Sequence, residues 1–337
     1  MTSNEGLIHR PHVSVVIPAY EAARFIAAAL DSLLAQTFVD WEAIIVDDAS
    51  SDDTSAVVAA HAARDSRIRL LRQEENAGPA AARNRAVEAA RGDWIALLDA
   101  DDLYLPERLE RLIRLGEAEG LDVVADNLWM RDPASGRIVR SGLPQDGRVR
   151  DWTLAVLLAN DRPARGFVYG LLKPIVRADF LQRTGLRWRT DLRYGEDFVF
   201  YAELFILGAK AKILPEPFYV YVLPISETDG TRSPNSRTSM REHELIRTGD
   251  VLLAAWGNRL GPAEKRAIAL RRTYLEHVGK ARAFKALVFS GDRLAALRAV
   301  IETPFLLRFL AWGVWWRLWA KFSGRFAGPT DDARGTP

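Results

Sequence analysis

Four short apolar runs, Val13 to Ile17, Trp41 to Val46, Ile68 to Leu71 and Trp94 to Leu98, alternate with stretches whose apolar residues recur at helical spacing. Each run is short enough to be a buried strand and is bounded by turn residues. Between the first two, Phe25, Ile26, Ala29, Leu30, Leu33 and Leu34 share one helical face within Ala22 to Ala35; Thr54 to Ala63 and the alanine-rich Ala80 to Ala90 fill the next intervals. Helix Pro106 to Glu119 and strand Val123 to Asn127 follow. Such alternation predicts an α/β fold, a mostly parallel sheet covered by helices. Ligands of such sheets bind beyond the carboxyl ends of the strands.

Those ends are acidic. The second run closes in Asp47-Asp48-Ala49-Ser50-Ser51-Asp52 and the fourth in Asp99-Ala100-Asp101-Asp102. Carboxylates crowded at a strand end repel one another unless a cation sits between them, and hard oxygen ligands one residue apart suit Mg2+ or Mn2+ bridging to a phosphate. The plainer alternative is an Asp-rich turn, with Asp102 capping the helix near Pro106. A third group, Glu196-Asp197, follows Arg193-Tyr194-Gly195 and opens a helix with Phe198, Val199, Phe200, Tyr201, Leu204 and Phe205 on it. Its plainer alternative is the preference of a helix N-terminus for acids. The three acidic clusters are expected to converge on one crevice.

Several chemistries are excluded. The 337 residues include no cysteine, which removes disulfides, thiolate catalysis and cysteine-zinc sites and suits a reducing compartment. No Gly-x-Gly-x-x-Gly or Walker loop follows the first run. His243-Glu244 starts like a zinc-protease motif, but Arg247 stands where the second histidine belongs. Met1 to Pro11 is polar and lacks the apolar stretch of a secretory signal, so the chemistry is expected in the cytoplasm.

Charge is unevenly placed. The net charge is +2, yet Arg259 to Arg325 carries fourteen Lys and Arg against four Asp and Glu. Within it Trp312, Trp315, Trp316 and Trp319 form a stripe at i, i+3, i+4 and i+7, with Phe305 and Phe309 on the same side. Its longest uncharged run is far below the ~20 residues of a spanning helix, so the segment is expected to lie on a membrane surface, where anionic lipid attracts basic residues. Packing on its own domain or a dimer contact is the alternative. No nucleic-acid recognition module accompanies the basic residues, and no nucleic-acid partner is expected.

Four motifs in order resemble the inverting family 2 glycosyltransferases of the GT-A fold: Pro18-Ala19-Tyr20-Glu21, Asp47-Asp48-Ala49-Ser50-Ser51-Asp52, Asn76-Ala77-Gly78 with Ala82-Arg83-Asn84, and Asp99-Ala100-Asp101 with Glu196-Asp197 downstream. The resemblance covers about residues 13 to 225, and Glu21 departs from it where the family usually has Asn. Asp126-Asn127-Leu128, Lys173-Pro174-Ile175 and Arg193 to Asp197 are similar, more narrowly, to transferases that build succinoglycan-type bacterial exopolysaccharide.

The resemblance implies a Rossmann-like sheet flanked by helices with a helical C-terminal extension. The expected parts are an N-terminal tail (1–12), a nucleotide-sugar half (13–127), an acceptor half carrying the base (128–239), a membrane-associating helical region (240–325) and a disordered tail (326–337). It implies that Tyr20 and Asp47 hold uracil, with Pro18, Glu21, Asp48, Asn76 and Gly78 completing the nucleotide site. Arg83 would lie beside the nucleotide, Asp99 would reach ribose or metal, and Asp101 would ligate Mg2+ or Mn2+. Asp197, with Glu196 as alternative, would be the general base. The Gln-x-x-Arg-Trp of processive members is absent; Gln182 to Arg187-Trp188 has the wrong spacing, so one sugar per encounter is expected. The implied donor is a UDP-sugar, with glucose favoured by the narrower match, and the implied acceptor a lipid-pyrophosphate-linked oligosaccharide at the inner face of the membrane. The same chemistry on a lipopolysaccharide or protein-linked glycan, or a non-catalytic nucleotide-sugar-binding module, are the alternatives.

Overall fold

Strands β1 (Val13–Ala19), β2 (Trp41–Asp47), β3 (Ile68–Arg72) and β4 (Trp94–Leu97) pair in parallel in the order β3-β2-β1-β4. The structure, a computed structural model, describes residues 10–161, 167–224 and 242–303. Strand β2 is buried at every position, as expected when helices cover both faces, and its two acids are partnered, Glu42 by Arg69 and Arg91 and Asp47 by Ser50 N–H. The crossovers are α1 (Ile26–Leu34), α2 (Thr54–Ala62) and α3 (Pro79–Ala89). Helix α1 starts four residues later than its apolar spacing suggests, and the backbone N–H groups of Ala22 and Ala23 in the turn before it donate to Thr54 Oγ1 and Asp52 Oδ2.

Beyond β4 the sheet is mixed rather than mostly parallel. Strands β5 (Leu103–Tyr104), β6 (Val123–Arg131), β7 (Ile138–Ser141), β8 (Arg150–Asp151), β9 (Ile175–Arg177) and β10 (Ala211–Val222) extend it to ten strands, eight along the path β3-β2-β1-β4-β9-β6-β10-β5 and two off it, β7 paired with β6 and β8 with β10. The short β9 inserts antiparallel between β4 and β6, while β10 runs parallel to β6. The boundary expected after residue 127 thus falls inside β6, and one sheet crosses both halves. In the sequence only the aromatic and β-branched run Phe218 to Val222 reads as a strand, the second part of β10. Its first part is hidden by Pro215 and Pro217, which sit where the register with β6 shifts and a missing ladder N–H is tolerated.

The other helices are α4 (Arg108–Ala118), α5 (Leu154–Asn160), α6 (Ala178–Thr184), α7 (Glu196–Ile206), α8 (Glu242–Trp256), α9 (Pro262–Ser290) and α10 (Arg293–Glu302). Two compact units are present, Met1–Leu275 and Glu276–Pro337. Helix α8, expected in a separate C-terminal region, packs on α7 in the first unit, and Trp256 Nε1 donates to Glu203 at 2.9 Å. In the second unit Ala281 and Phe284 bury themselves against Ala299 and Val300. The tryptophan stripe lies outside the described residues. Among the described residues no helix is long and apolar enough to cross a membrane.

Candidate active site

The loops after β1 and β2 are stapled together by short polar side chains. Glu21 N–H donates to Ser50 Oγ at 2.9 Å, and the Glu21 carboxylate accepts from both the N–H and the hydroxyl of Ser51 at 2.7 Å. Glu21 and Ala49 hold φ of +52° and +59°, the left-handed region that non-glycine residues rarely enter. Asn tolerates that region, which gives a physical reason for the family's Asn at this position. Asp47 is fully buried and accepts from Ser50 N–H at 2.9 Å and from the Ser55 hydroxyl. The Asp48 carboxylate accepts from the N–H groups of Ala77 and Gly78 at 2.8 Å each and from Gln73. Gly78, at φ +88°, turns the chain into α3 with Pro79 at its first position. The expected donor loops are therefore one rigid block, with Tyr20 exposed on it at 40%.

That block aims α3, and with it Arg83, at the acids. Arg83 is buried; its Nη2 lies 2.9 Å from Asp99 Oδ1, and its Nη1 lies 3.0 Å from Glu196 Oε1 and 3.2 Å from Asp197 Oδ1. Lys173, also buried, places Nζ 2.8 Å from Asp99 Oδ2 and 2.8 Å from Asp197 Oδ2. Two of the three expected clusters, β4's end and α7's start, thus meet across two cations. The Asp47-Asp48 carboxylates do not join them; they hold loops.

The electrostatics separate the two neighbouring acids of α7. Burial pushes Asp197 up, but Arg83 and Lys173 outweigh it and hold the carboxyl below the usual range. Glu196 goes the other way: burial and the adjacent Asp197 hold it above the ordinary glutamate value despite Arg83. Asp99 is held low by Lys173 and Arg83 against burial. Burial, Asp101 and Asp99 raise Asp102 well above the carboxylate range. It accepts from Tyr219 Oη at 2.6 Å and Val222 N–H at 2.8 Å, and so ties the acidic loop to β10; helix α4 has no side-chain cap.

Among the described residues no group of three or more His, Asp and Glu side chains forms a ready metal cage. Mg2+ is ordinarily held by one or two carboxylates plus substrate phosphates and water, and Asp99 with Asp101 are hard oxygen donors of that kind. The residues present fit such an ion.

Comparison with known proteins agrees with this geometry. The family model described as Glycosyl transferase family 2 matches residues 14–167. The succinoglycan biosynthesis protein ExoO of Rhizobium meliloti (strain 1021) is 33% identical over 327 residues, covering 95% of this chain and 89% of that protein. The chain belongs to glycosyl transferase family 2. It is a glycosyltransferase of polysaccharide biosynthesis and resembles the exopolysaccharide-type enzymes of that family. The Escherichia coli protein WfgD, named as a UDP-Glc:alpha-D-GlcNAc-diphosphoundecaprenol beta-1,3-glucosyltransferase, is 43% identical over 103 residues, 31% of this chain and 40% of its own. The crystal structure of S. aureus TarS 1-349 in complex with UDP-GlcNAc shares the GT-A fold, with a TM-score of 0.64 at 20% identity over 86% of this chain and 79% of that one.

In this family 2 chain, sequence reasoning missed three side chains that shape the site. Lys173 was noted only as part of a resemblance; a lone lysine in the apolar run Leu171 to Val176 was the available signal. Trp188, set aside as a decoy, stacks on Phe200 at 3.6 Å and donates from Nε1 to Asp197 Oδ1 at 3.0 Å. Asn84 clamps the Trp188 backbone, accepting from its N–H and donating to its carbonyl at 2.8 Å each. Gly195, at φ +79° with no room for a Cβ beside Thr248, starts α7 so that Glu196 and Asp197 face this group.

Proposed function

We propose that the chain transfers one sugar from a UDP-sugar, with UDP-glucose favoured, to a hydroxyl of a lipid-diphosphate-linked oligosaccharide, inverting the anomeric configuration in one displacement. The observation that carries this reading is the meeting of Asp99 with Glu196 and Asp197 across Arg83 and Lys173, at the carboxyl end of β4. In this reading Tyr20 stacks on uracil, Asp47 supports that loop from below, and Pro18, Glu21, Asp48, Asn76 and Gly78 shape the nucleotide wall. Arg83 lies between donor and base.

Asp101 is the principal ligand for Mg2+ or Mn2+, because Arg83 and Lys173 engage both oxygens of the neighbouring Asp99. Bound there, the cation would neutralise charge on the departing diphosphate. Asp197 accepts the proton of the acceptor hydroxyl as its oxygen bonds to the anomeric carbon. The bond from that carbon to the diphosphate oxygen breaks on the opposite face, and UDP leaves. A second reading makes Glu196 the base, favoured by its raised pKa. Positioning favours Asp197, which accepts from Trp188 and Lys173.

The test is transfer from each UDP-sugar to a synthetic lipid-diphosphate-linked sugar, with the new linkage read by NMR. The expected product carries one added sugar of inverted configuration. Retained configuration, a ladder of products or no transfer overturns the reading.

We also place the protein at the inner face of the cytoplasmic membrane. Leu294, Leu297 and Ile301 stand exposed at i, i+3 and i+7 on α10, within the basic segment, which supports surface binding. Deleting residues 304–337 should reduce co-sedimentation with anionic vesicles; equal binding of the folded truncated protein contradicts that placement.

A further inference from the structure

Lys173 stands immediately before Pro174 and β9, and β9 runs antiparallel to both β4 and β6. Ile175 pairs with Ala96 near the end of β4 and with Val124 near the start of β6, so the chain two residues earlier emerges past the carboxyl end of β4, alongside the middle of β6. Topology alone therefore delivers a cation to the acidic edge. The backbone there is pinned on both sides. Tyr201 Oη donates to the Leu172 carbonyl at 2.6 Å, and Arg108, itself fully buried and paired with Asp126 at 2.7 Å, donates to the Lys173 carbonyl.

From this anchored backbone the ammonium reaches Asp99 Oδ2 and Asp197 Oδ2, while Arg83 takes the Oδ1 atoms of the same two carboxylates. A closed ring of alternating charge results. A lysine ammonium is a compact charge with three donors and no acceptor, and two of those donors are committed to carboxylates in different halves of the site.

We propose that Lys173 is a positioning residue of the transfer reaction, holding the Asp197 carboxylate in register with Asp99 so that acceptor hydroxyl and anomeric carbon meet in line. This rests on the reading of Asp197 as the base. A displacement of about 1 Å at such a point costs about 100-fold in rate.

The test compares Lys173→Met, Lys173→Arg, Asp197→Asn and the Lys173→Met/Asp197→Asn double variant with the wild type in UDP release from a UDP-sugar, with the melting temperature of each. Lys173→Met is expected to lower kcat about 100-fold with the donor KM within about threefold, and Lys173→Arg to recover about tenfold of that. In the Asp197→Asn background the same Lys173→Met change is expected to cost less than about twofold, because its effect passes through Asp197. If Lys173→Met does not fold, Lys173→Arg carries the test through lower kcat at unchanged donor KM. An unchanged kcat, a tenfold rise in donor KM at full kcat, or an equal loss in both backgrounds overturns the proposal alone. A wild type that turns over no UDP-sugar overturns the parent reading and this one with it.

Discussion

The loops of β1 to β4 and the region from β5 through α7 to β10 present the carboxylates of this site by different means. On the first side, neighbouring loops bind each other through Ser50, Asp52 and Thr54 with the backbone N–H groups of residues 21–23, through Ser51 with the Glu21 carboxylate, and through Asp48 with the N–H groups of residues 77–78. These are many short bonds, none of them between opposite charges. On the second side, single groups bridge long stretches of chain: buried Trp188 to Asn84 of α3, Tyr219 to Asp102, Arg108 to Asp126, Arg271 to Asp161. The difference teaches that damage should be graded on the donor side and abrupt on the acceptor side.

The largest expected effect tests the point where the two sides meet. Asp197→Asn should lower kcat by about 10³-fold, within the range of general-base catalysis, while UDP affinity measured by calorimetry stays within about threefold. Loss of UDP binding instead would mean the two sides are not functionally separable. Next, Arg108→Met should destabilise the fold by about 3–5 kcal/mol in denaturant titration, because it leaves Asp126 buried without its partner. Asn84→Ala should be milder, about 1–3 kcal/mol, since it unclamps the Trp188 backbone, and it should lower kcat more than it raises the donor KM.

A pH experiment sharpens the same contrast. Asp102 is raised above the unfolded aspartate value, so its contribution favours folding at low pH and is lost as pH rises through its folded value. Asp102→Asn should therefore gain stability relative to the wild type as pH rises, measured by urea titration in EDTA, even though it forfeits one acceptor to Val222 or Tyr219. A difference that does not change with pH would contradict the burial of a titrating carboxyl there. The smallest effect belongs to the donor side: Glu21→Asn exchanges the Ser51 bonds for a residue that tolerates φ +52°, and should change stability by less than about 1 kcal/mol.

The same division explains what the sequence showed. Strands β1 to β4 and their helices announce themselves through periodicity that is read within a dozen residues, and the motifs lie at their ends. The roles of Lys173, Trp188 and Asn84 depend on partners far along the chain, which no local pattern encodes. Arg83 was found but expected beside the nucleotide; only the fold shows it also ion-paired with three acids. Asp47 and Asp48 were found as acids, and only the fold shows their carboxylates turned inward on loop donors. Mixed pairing beyond β4 was hidden because β9 is three residues long and β10 carries two prolines.

The most direct test of a donor side and an acceptor side meeting across Arg83 is UDP release from a panel of UDP-sugars with Mn2+ or Mg2+, comparing wild type, Asp101→Ala and Asp197→Asn. Slow hydrolysis by water needs no acceptor. The account predicts turnover of one donor by the wild type, weakened donor binding in Asp101→Ala, and intact binding with turnover lowered about 10³-fold in Asp197→Asn. Wild-type rates in either variant, or no UDP-sugar bound in the presence of metal, would contradict it.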